Sequence, residues 1–236
     1  IRGTLVASDG MDFMVADYAA IEARVVFWLA GDDTALDVFR RGEDIYCDMA
    51  SGIYGRTITK KDANERQFGK QGILGLGFEM GFVTFLLTCR KYDIHFDEHM
   101  VRQIVDAASF SSMEASIKKY LAGDKRRVRR LEENDEDPAR IMHELVLMKH
   151  TVETYRGRYP EVTQMWRDQE EAALSAVRSP GRVVESKRGR NSWVVEDGFL
   201  KTYLPSGRPL HYYDPEIVRK KTPWKNPDGS PVFKPA

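Results

Sequence analysis

Two apolar, β-compatible runs, Thr4–Ser8 and Met11–Ala16, flank Asp9-Gly10. Asp-Gly between such runs predicts a hairpin, and its second strand would end at Asp17. From Ile21 the period changes: Ile21, Val25, Trp28 and Leu29 recur at helical spacing, and Gly31 is placed to stop that helix. Asp32 or Asp33 can cap a short helix through Phe39, ended by Gly42, and Asp44 can cap another with Ile45, Met49 and Ile53 on one face. Thr59-Lys60-Lys61-Asp62 has the pattern of a capping box. It opens a helical stretch through Phe78, in one piece or two.

Residues 97–178 read as mostly helical. Pro138 is placed to open one helix, Tyr159-Pro160 breaks the pattern, and Met165, Trp166, Ala173 and Val177 resume it. After Pro180-Gly181 the character shifts to short strand-like runs at Val183-Val184, Trp193–Val195 and Leu200–Leu204. The tail from Lys220 is rich in proline and poor in apolar residues, and is expected to be loose. The class expected is α+β.

The 236 residues suffice for one large domain or two small ones, and 42% hydrophobic with 31% charged residues is ordinary for a globular protein. A net charge of +0 excludes a polycation overall, so any nucleic-acid contact must rest on local clusters. Two cysteines, Cys47 and Cys89, make neither a disulfide framework nor a zinc site. His95 and His99, with Cys89 six residues before the first, have no convincing metal geometry. No stretch approaches eighteen apolar residues, so no membrane partner is expected, and a reducing cytoplasm is the default setting. Ile1 is not a natural start, and the chain reads as a piece of a longer protein.

Candidate chemistry concentrates in two segments. Val15-Ala16-Asp17-Tyr18-Ala19-Ala20-Ile21-Glu22-Ala23-Arg24 puts a carboxylate at the end of an apolar run. By itself that pattern fits a helix-capping aspartate as well as a metal ligand, and Glu22 alone fits a first-turn acid favoured by the helix dipole. About forty residues on, Arg66, Lys70, Leu74 and Phe78 step by four along one slowly winding stripe. A solvated basic face would do the same. However, Gly69, Gly72, Gly75 and Gly77 interrupt this helix, and each glycine costs about 1 kcal/mol in a helix interior relative to alanine. Something must lie too close for side chains there, either a neighbouring backbone or a bound substrate. Two cations one turn apart suit a triphosphate, with Arg as a fork and Lys as a point charge.

Together the two segments resemble motifs A and B of family A DNA polymerases, the bacterial DNA polymerase I type. The wording Gly69-Lys70-Gln71-Gly72-Ile73-Leu74-Gly75-Leu76-Gly77-Phe78, and Pro205-Ser206-Gly207-Arg208-Pro209-Leu210-His211-Tyr212 later, is similar to the phage branch. The resemblance covers roughly residues 3–218. No His-Asp-Glu corresponding to motif C follows it, which marks a fragment.

The resemblance implies a partial palm of antiparallel strands with a mainly helical fingers subdomain. Palm with motif A would occupy 1–58, fingers with motif B 59–180, a strand-rich return toward the palm 181–219, and a loose tail 220–236. It implies template-directed transfer of deoxynucleoside triphosphates to a primer 3′-hydroxyl, with two Mg²⁺ ions in the intact enzyme. Asp17 and the Tyr18 carbonyl would bind metal. Glu22 would close the sugar 2′ side, Arg66 hold the outer phosphates, Lys70 neutralise the leaving pyrophosphate, and Phe78 stack on the base. Leu74 stands where Phe or Tyr is usual, Phe78 replaces Tyr, Glu79 replaces Gly, Ala20 replaces a frequent Gln, and Tyr46 stands where bacterial members have a phosphate-side His.

Arg24 reads as structural, pairing with a nearby acid. Lys187, Arg188 and Arg190 are candidate template contacts. Lys125–Arg130, beside the acidic run 132–137, is either a DNA-backbone contact or a solvated pair. Partners implied are primer-template DNA and deoxynucleoside triphosphates, for a monomer in the cytoplasm (that of a bacterial host, if phage-encoded). A single-subunit RNA polymerase relative and a non-catalytic nucleic-acid-binding remnant are the alternatives. With one catalytic aspartate, these residues alone are expected to extend primers negligibly.

Overall fold

The computed structural model describes residues 4–133, 137–225 and 230–235. Ten helices come first among them: α1 Ile21–Ala30, α2 Asp33–Arg40, α3 Ile45–Tyr54, α4 Ala63–Leu76, α5 Phe82–Lys91, α6 Glu98–Ile104, α7 Ala107–Leu121, α8 Lys125–Glu132, α9 Pro138–Arg158 and α10 Pro160–Arg178. Strands β1 Val184–Glu185, β2 Ser192–Glu196, β3 Phe199–Tyr203 and β4 Pro209–Tyr213 then form an antiparallel meander in the order β1-β2-β3-β4. β5 Arg219–Lys225 and β6 Pro231–Pro235 pair separately. The class is α+β.

α9 is the centre of the helical part. Leu145, Val146, Leu147 and Met148 are all fully buried, so this stretch is covered on every side, by α3, α4, α5, α6 and α7. Each such side chain stabilises the fold by about 1.5–3 kcal/mol. Within this core the ion pair Arg90–Glu144 joins α5 to α9, with Glu144 only 4% exposed. Arg90 Nε donates to Glu144 Oε2 at 3.1 Å, and Nη1 donates to the Leu131 carbonyl near the end of α8.

Caps explain most helix starts. Asp32 accepts from the Ala35 amide, Asp97 from Met100, and Asp106, Asp124 and Asp137 each from two first-turn amides. Gly31 and Gly55 close α1 and α3 with positive φ.

Several expectations are corrected. Thr4–Ser8 and Met11–Ala16 turn at Asp9-Gly10, where the Met11 amide donates to Ser8, but they form no strands. A lone two-stranded hairpin is marginal without a third strand or a packed face, and here Val6, Met14 and Val15 are largely exposed. The buried stripe of α1 is Ala23, Phe27 and Ala30, not Ile21, Val25 and Trp28, which remain exposed. Two alanines let α1 approach its neighbours closely, and Phe27 packs on the rings of Phe39 and Tyr159.

Thr59 and Asp62 bond one turn early and not as a reciprocal box, since the Thr59 hydroxyl accepts from the Lys61 amide and not from that of Asp62. Asp62 accepts from the Thr59 amide and hydroxyl, and α4 starts after it. α4 is a single helix that stops at Leu76, so Phe78 lies in the following turn. Among the described residues Arg24 meets no acid; its Nε donates to the Ala19 carbonyl and its guanidinium lies over Phe39. The tail from Lys220 is not loose throughout, because β5 and β6 pair. Of the acidic run after α8, residues 134–136 lie outside the described residues.

Both cysteines are buried, and burial raises both thiols, that of Cys89 to about 12. Since the thiolate is the reactive form, a thiol-titrating disulfide reagent at pH 8 is expected to modify neither until denaturant is added. Fast labelling of native protein would contradict this packing.

Candidate functional site

Asp44 organises the first part of the site. Its Oδ1 accepts from the Tyr46 and Cys47 amides and starts α3, while Oδ2 accepts from Arg66 Nε of α4 at 2.8 Å. Burial opposes ionisation of Asp44, but the Arg66 bond, the Tyr46 amide and the Arg66 charge outweigh it and lower its pKa. The Arg66 guanidinium lies 5.3 Å from the Tyr46 ring centroid. Burial, with the charges of Asp44 and then Glu22 assisting, pushes the Tyr46 hydroxyl up against the opposing pull of Arg66.

Helices α3 and α4 touch here through backbone. A Cβ on Gly69 would overlap the Tyr46 carbonyl oxygen and sit 2.9 Å from Ala50 Cβ. A neighbouring backbone therefore explains this glycine. Gly72 and Gly75 have ordinary side-chain spacing around them and are not explained by packing within the chain.

Lys70 is one turn beyond Arg66, half-buried, and makes no ion pair among the described residues. Leu74 is half-buried a further turn on, and Phe78 is 67% exposed. Glu22, in the first turn of α1, reaches the electrostatic environment of Tyr46. Asp17 and Tyr18 are exposed, in an irregular segment before the corner at Ala20, whose φ is +51°. Thus Tyr46 and Arg66 meet directly, Lys70 follows Arg66 one turn on along α4, and among the described residues Asp17 makes no bonded contact with them. Among the described residues no three His, Cys, Asp or Glu side chains converge as a metal cluster. One carboxylate and one carbonyl are the hard oxygen donors that Mg²⁺ prefers, enough for part of a coordination sphere completed by water.

The basic loop after β1 is divided. Arg188 closes on Glu161 at 2.7 Å and Asp168 at 3.2 Å. Hydrogen bonds from Gln164 and then Arg188 hold the Asp168 carboxyl below its usual range. Lys187 and Arg190 are exposed, with Arg190 lying over Trp28 at 4.6 Å. Local reading missed the residue that shapes this loop. Gln169 of α10 accepts from Trp193 Nε1 and Asn191 Nδ2 and donates to Ser186 Oγ. Asn191 also donates to Thr202. Gly189, at φ +99°, packs directly on that amide, and its own N–H donates to the Leu29 carbonyl of α1.

The model of DNA polymerase family A matches residues 1–130. The DNA polymerase of Bacillus phage SP02 is 26% identical over 219 residues, 92% of this chain and 26% of that protein. DNA polymerase I of Chloroflexus aurantiacus is 33% identical over 106 residues, covering 45% of this chain and 11% of that one. The thermostable DNA polymerase I of Thermus thermophilus is 42% identical over 80 residues, 34% of this chain and 10% of its own length. The chain thus spans about a quarter or less of these relatives. No solved structure matches. A family match across more than half of the chain, over a range that includes Asp17, Arg66 and Lys70, places this protein in DNA polymerase family A.

Proposed function

We propose that this chain supplies the nucleotide-binding part of a template-directed DNA polymerase. The observation that carries the reading is the grouping of Tyr46, Arg66 and Lys70 on the packed pair α3–α4 in a family A member. Arg66 and Tyr46 would hold the outer phosphates of a deoxynucleoside triphosphate. Lys70 would neutralise charge developing on the leaving pyrophosphate and give it a proton. Leu74 would lie against the sugar, the exposed ring of Phe78 would stack on the base, and Glu22 would crowd a ribose 2′-hydroxyl. Asp17 and the Tyr18 carbonyl would take Mg²⁺, whose contribution is charge stabilisation at the phosphates.

In the whole enzyme, a primer 3′-oxygen attacks the α-phosphate and the bond to pyrophosphate breaks. Primer-template DNA is the partner, with Lys187 and Arg190 as backbone contacts and Arg188 holding their loop. In this reading residues 1–58 belong to the palm, 59–180 to the fingers and 181–219 to the return toward the palm.

Titrating a fluorescent deoxyadenosine triphosphate into the protein tests the reading. Lys70→Ala is expected to weaken binding about tenfold or more, as loss of a charge-assisted contact. A ribonucleoside triphosphate should compete less well than its deoxy form. Unchanged affinity in Lys70→Ala would remove the reading.

A further inference from the structure

We infer that Asp44 is a positioning residue, whose single carboxylate sets Arg66 and Tyr46 as a two-point clamp for the polyphosphate tail of a nucleotide. This rests on the nucleotide-binding reading above and adds to it a residue that touches no substrate.

Three observations carry it. First, the two Asp44 oxygens serve different elements: one holds the Tyr46 and Cys47 amides at the start of α3, the other holds Arg66 Nε on α4. Both oxygens are thereby occupied, and the side chain is only 13% exposed, so its charge is turned inward. Second, the bond uses the Nε edge of the guanidinium. An arginine presents five N–H donors in a rigid fork, so the Nη nitrogens keep donors for an anion beyond the contact that the guanidinium makes with the Cys47 thiol. The side chain is 32% exposed, which leaves that fork accessible. Third, Tyr46 lies under the same guanidinium, and its carbonyl is where Gly69 brings the two helices together. The orientation of Arg66 and the placement of Tyr46 are therefore set from one carboxylate, across a junction that backbone packing keeps closed.

A free arginine side chain loses rotamer entropy on ordering. Asp44 removes much of that loss before the ligand arrives. The bland alternative is a pair that only ties α3 to α4. It predicts that the Asp44 charge matters to folding and not to anion affinity.

The test is a titration of the 236-residue protein with the same fluorescent deoxynucleoside triphosphate, with inorganic tripolyphosphate as competitor. Asp44→Asn is the informative change, because asparagine caps a helix about as well as aspartate and so keeps α3. Circular dichroism checks that it does. Expected is about tenfold weaker triphosphate binding, with tripolyphosphate weakened in parallel. In an Arg66→Ala background the same change should add less than about twofold, since Asp44 acts through Arg66. Unaltered affinity in Asp44→Asn would overturn the inference, and tighter binding would overturn it by making Asp44 a competitor of phosphate. If Arg66→Ala and Lys70→Ala also leave affinity unaltered, the nucleotide site falls and this inference with it. If those two weaken binding and Asp44→Asn does not, only the role of Asp44 falls.

Discussion

Replacing Gly69 by alanine is expected to destabilise the protein by about 3 kcal/mol, the upper range for forcing atoms into a packed interface. The new methyl group would meet the Tyr46 carbonyl and Ala50, both on α3, and the first of these is backbone that cannot rotate away. In an unconstrained helix interior the same change stabilises by about 1 kcal/mol. Gly72→Ala provides that contrast, because a Cβ there meets only the Met49 side chain, at 3.6 Å. Urea unfolding followed by helical circular dichroism should therefore shift in opposite directions for the two variants. Equal midpoints would mean that α3 and α4 are not in backbone contact. Since the contact lies at Tyr46, Gly69→Ala should also weaken triphosphate binding under conditions where the protein remains folded.

The second large effect is expected at the core pair. Arg90→Ala leaves Glu144 buried beside α5 without its guanidinium, and removing one partner of a buried pair costs about 3–5 kcal/mol. It also withdraws a donor from the Leu131 carbonyl, loosening α8 from the body. The double change Arg90→Met with Glu144→Leu replaces the pair by apolar groups of similar length and should recover much of the loss. Thermal and urea unfolding of the two variants provide the check. If the single variant were as stable as the parent, the ion pair would not be holding α5 to α9.

What could be read from sequence follows the range of the forces involved. Caps and stops are local. Asp44 before Ile45, Pro138 and Gly31 each act within a few residues, and each stands where the pattern put it. The strands β2 and β3 were visible because a meander pairs sequence neighbours. The runs from Thr4 to Ala16 failed because a strand needs a neighbour, and among the described residues none pairs with them. The large residues at helical spacing locate α1, whereas its packed face uses Ala23, Phe27 and Ala30, and the small alanines give periodicity little signal. Phe78 keeps the period of α4 yet lies beyond its end at Leu76, because a period of four says nothing about where a helix ends.

At the site, Arg66 and Lys70 were legible as a spaced pair. The tie from Arg66 to Asp44 spans 22 residues, and nothing in either local pattern announces it. Gln169 was invisible for the same reason, since its partners lie 17 to 24 residues away on the loop and on β2. Gly69 is the intermediate case. Its oddity in a helix was evident, but the atom it makes room for was not.

The loop that Gln169 folds has a mechanical consequence. Its Gly189 N–H and its Arg190 side chain both grip the last turn of α1, at the Leu29 and Trp28 carbonyls. One end of α1 is thus latched to the sheet, while the other begins at the left-handed corner of Ala20, beside Asp17. The strand meander, far from α1 in sequence, thereby fixes where the C-terminal end of that helix lies.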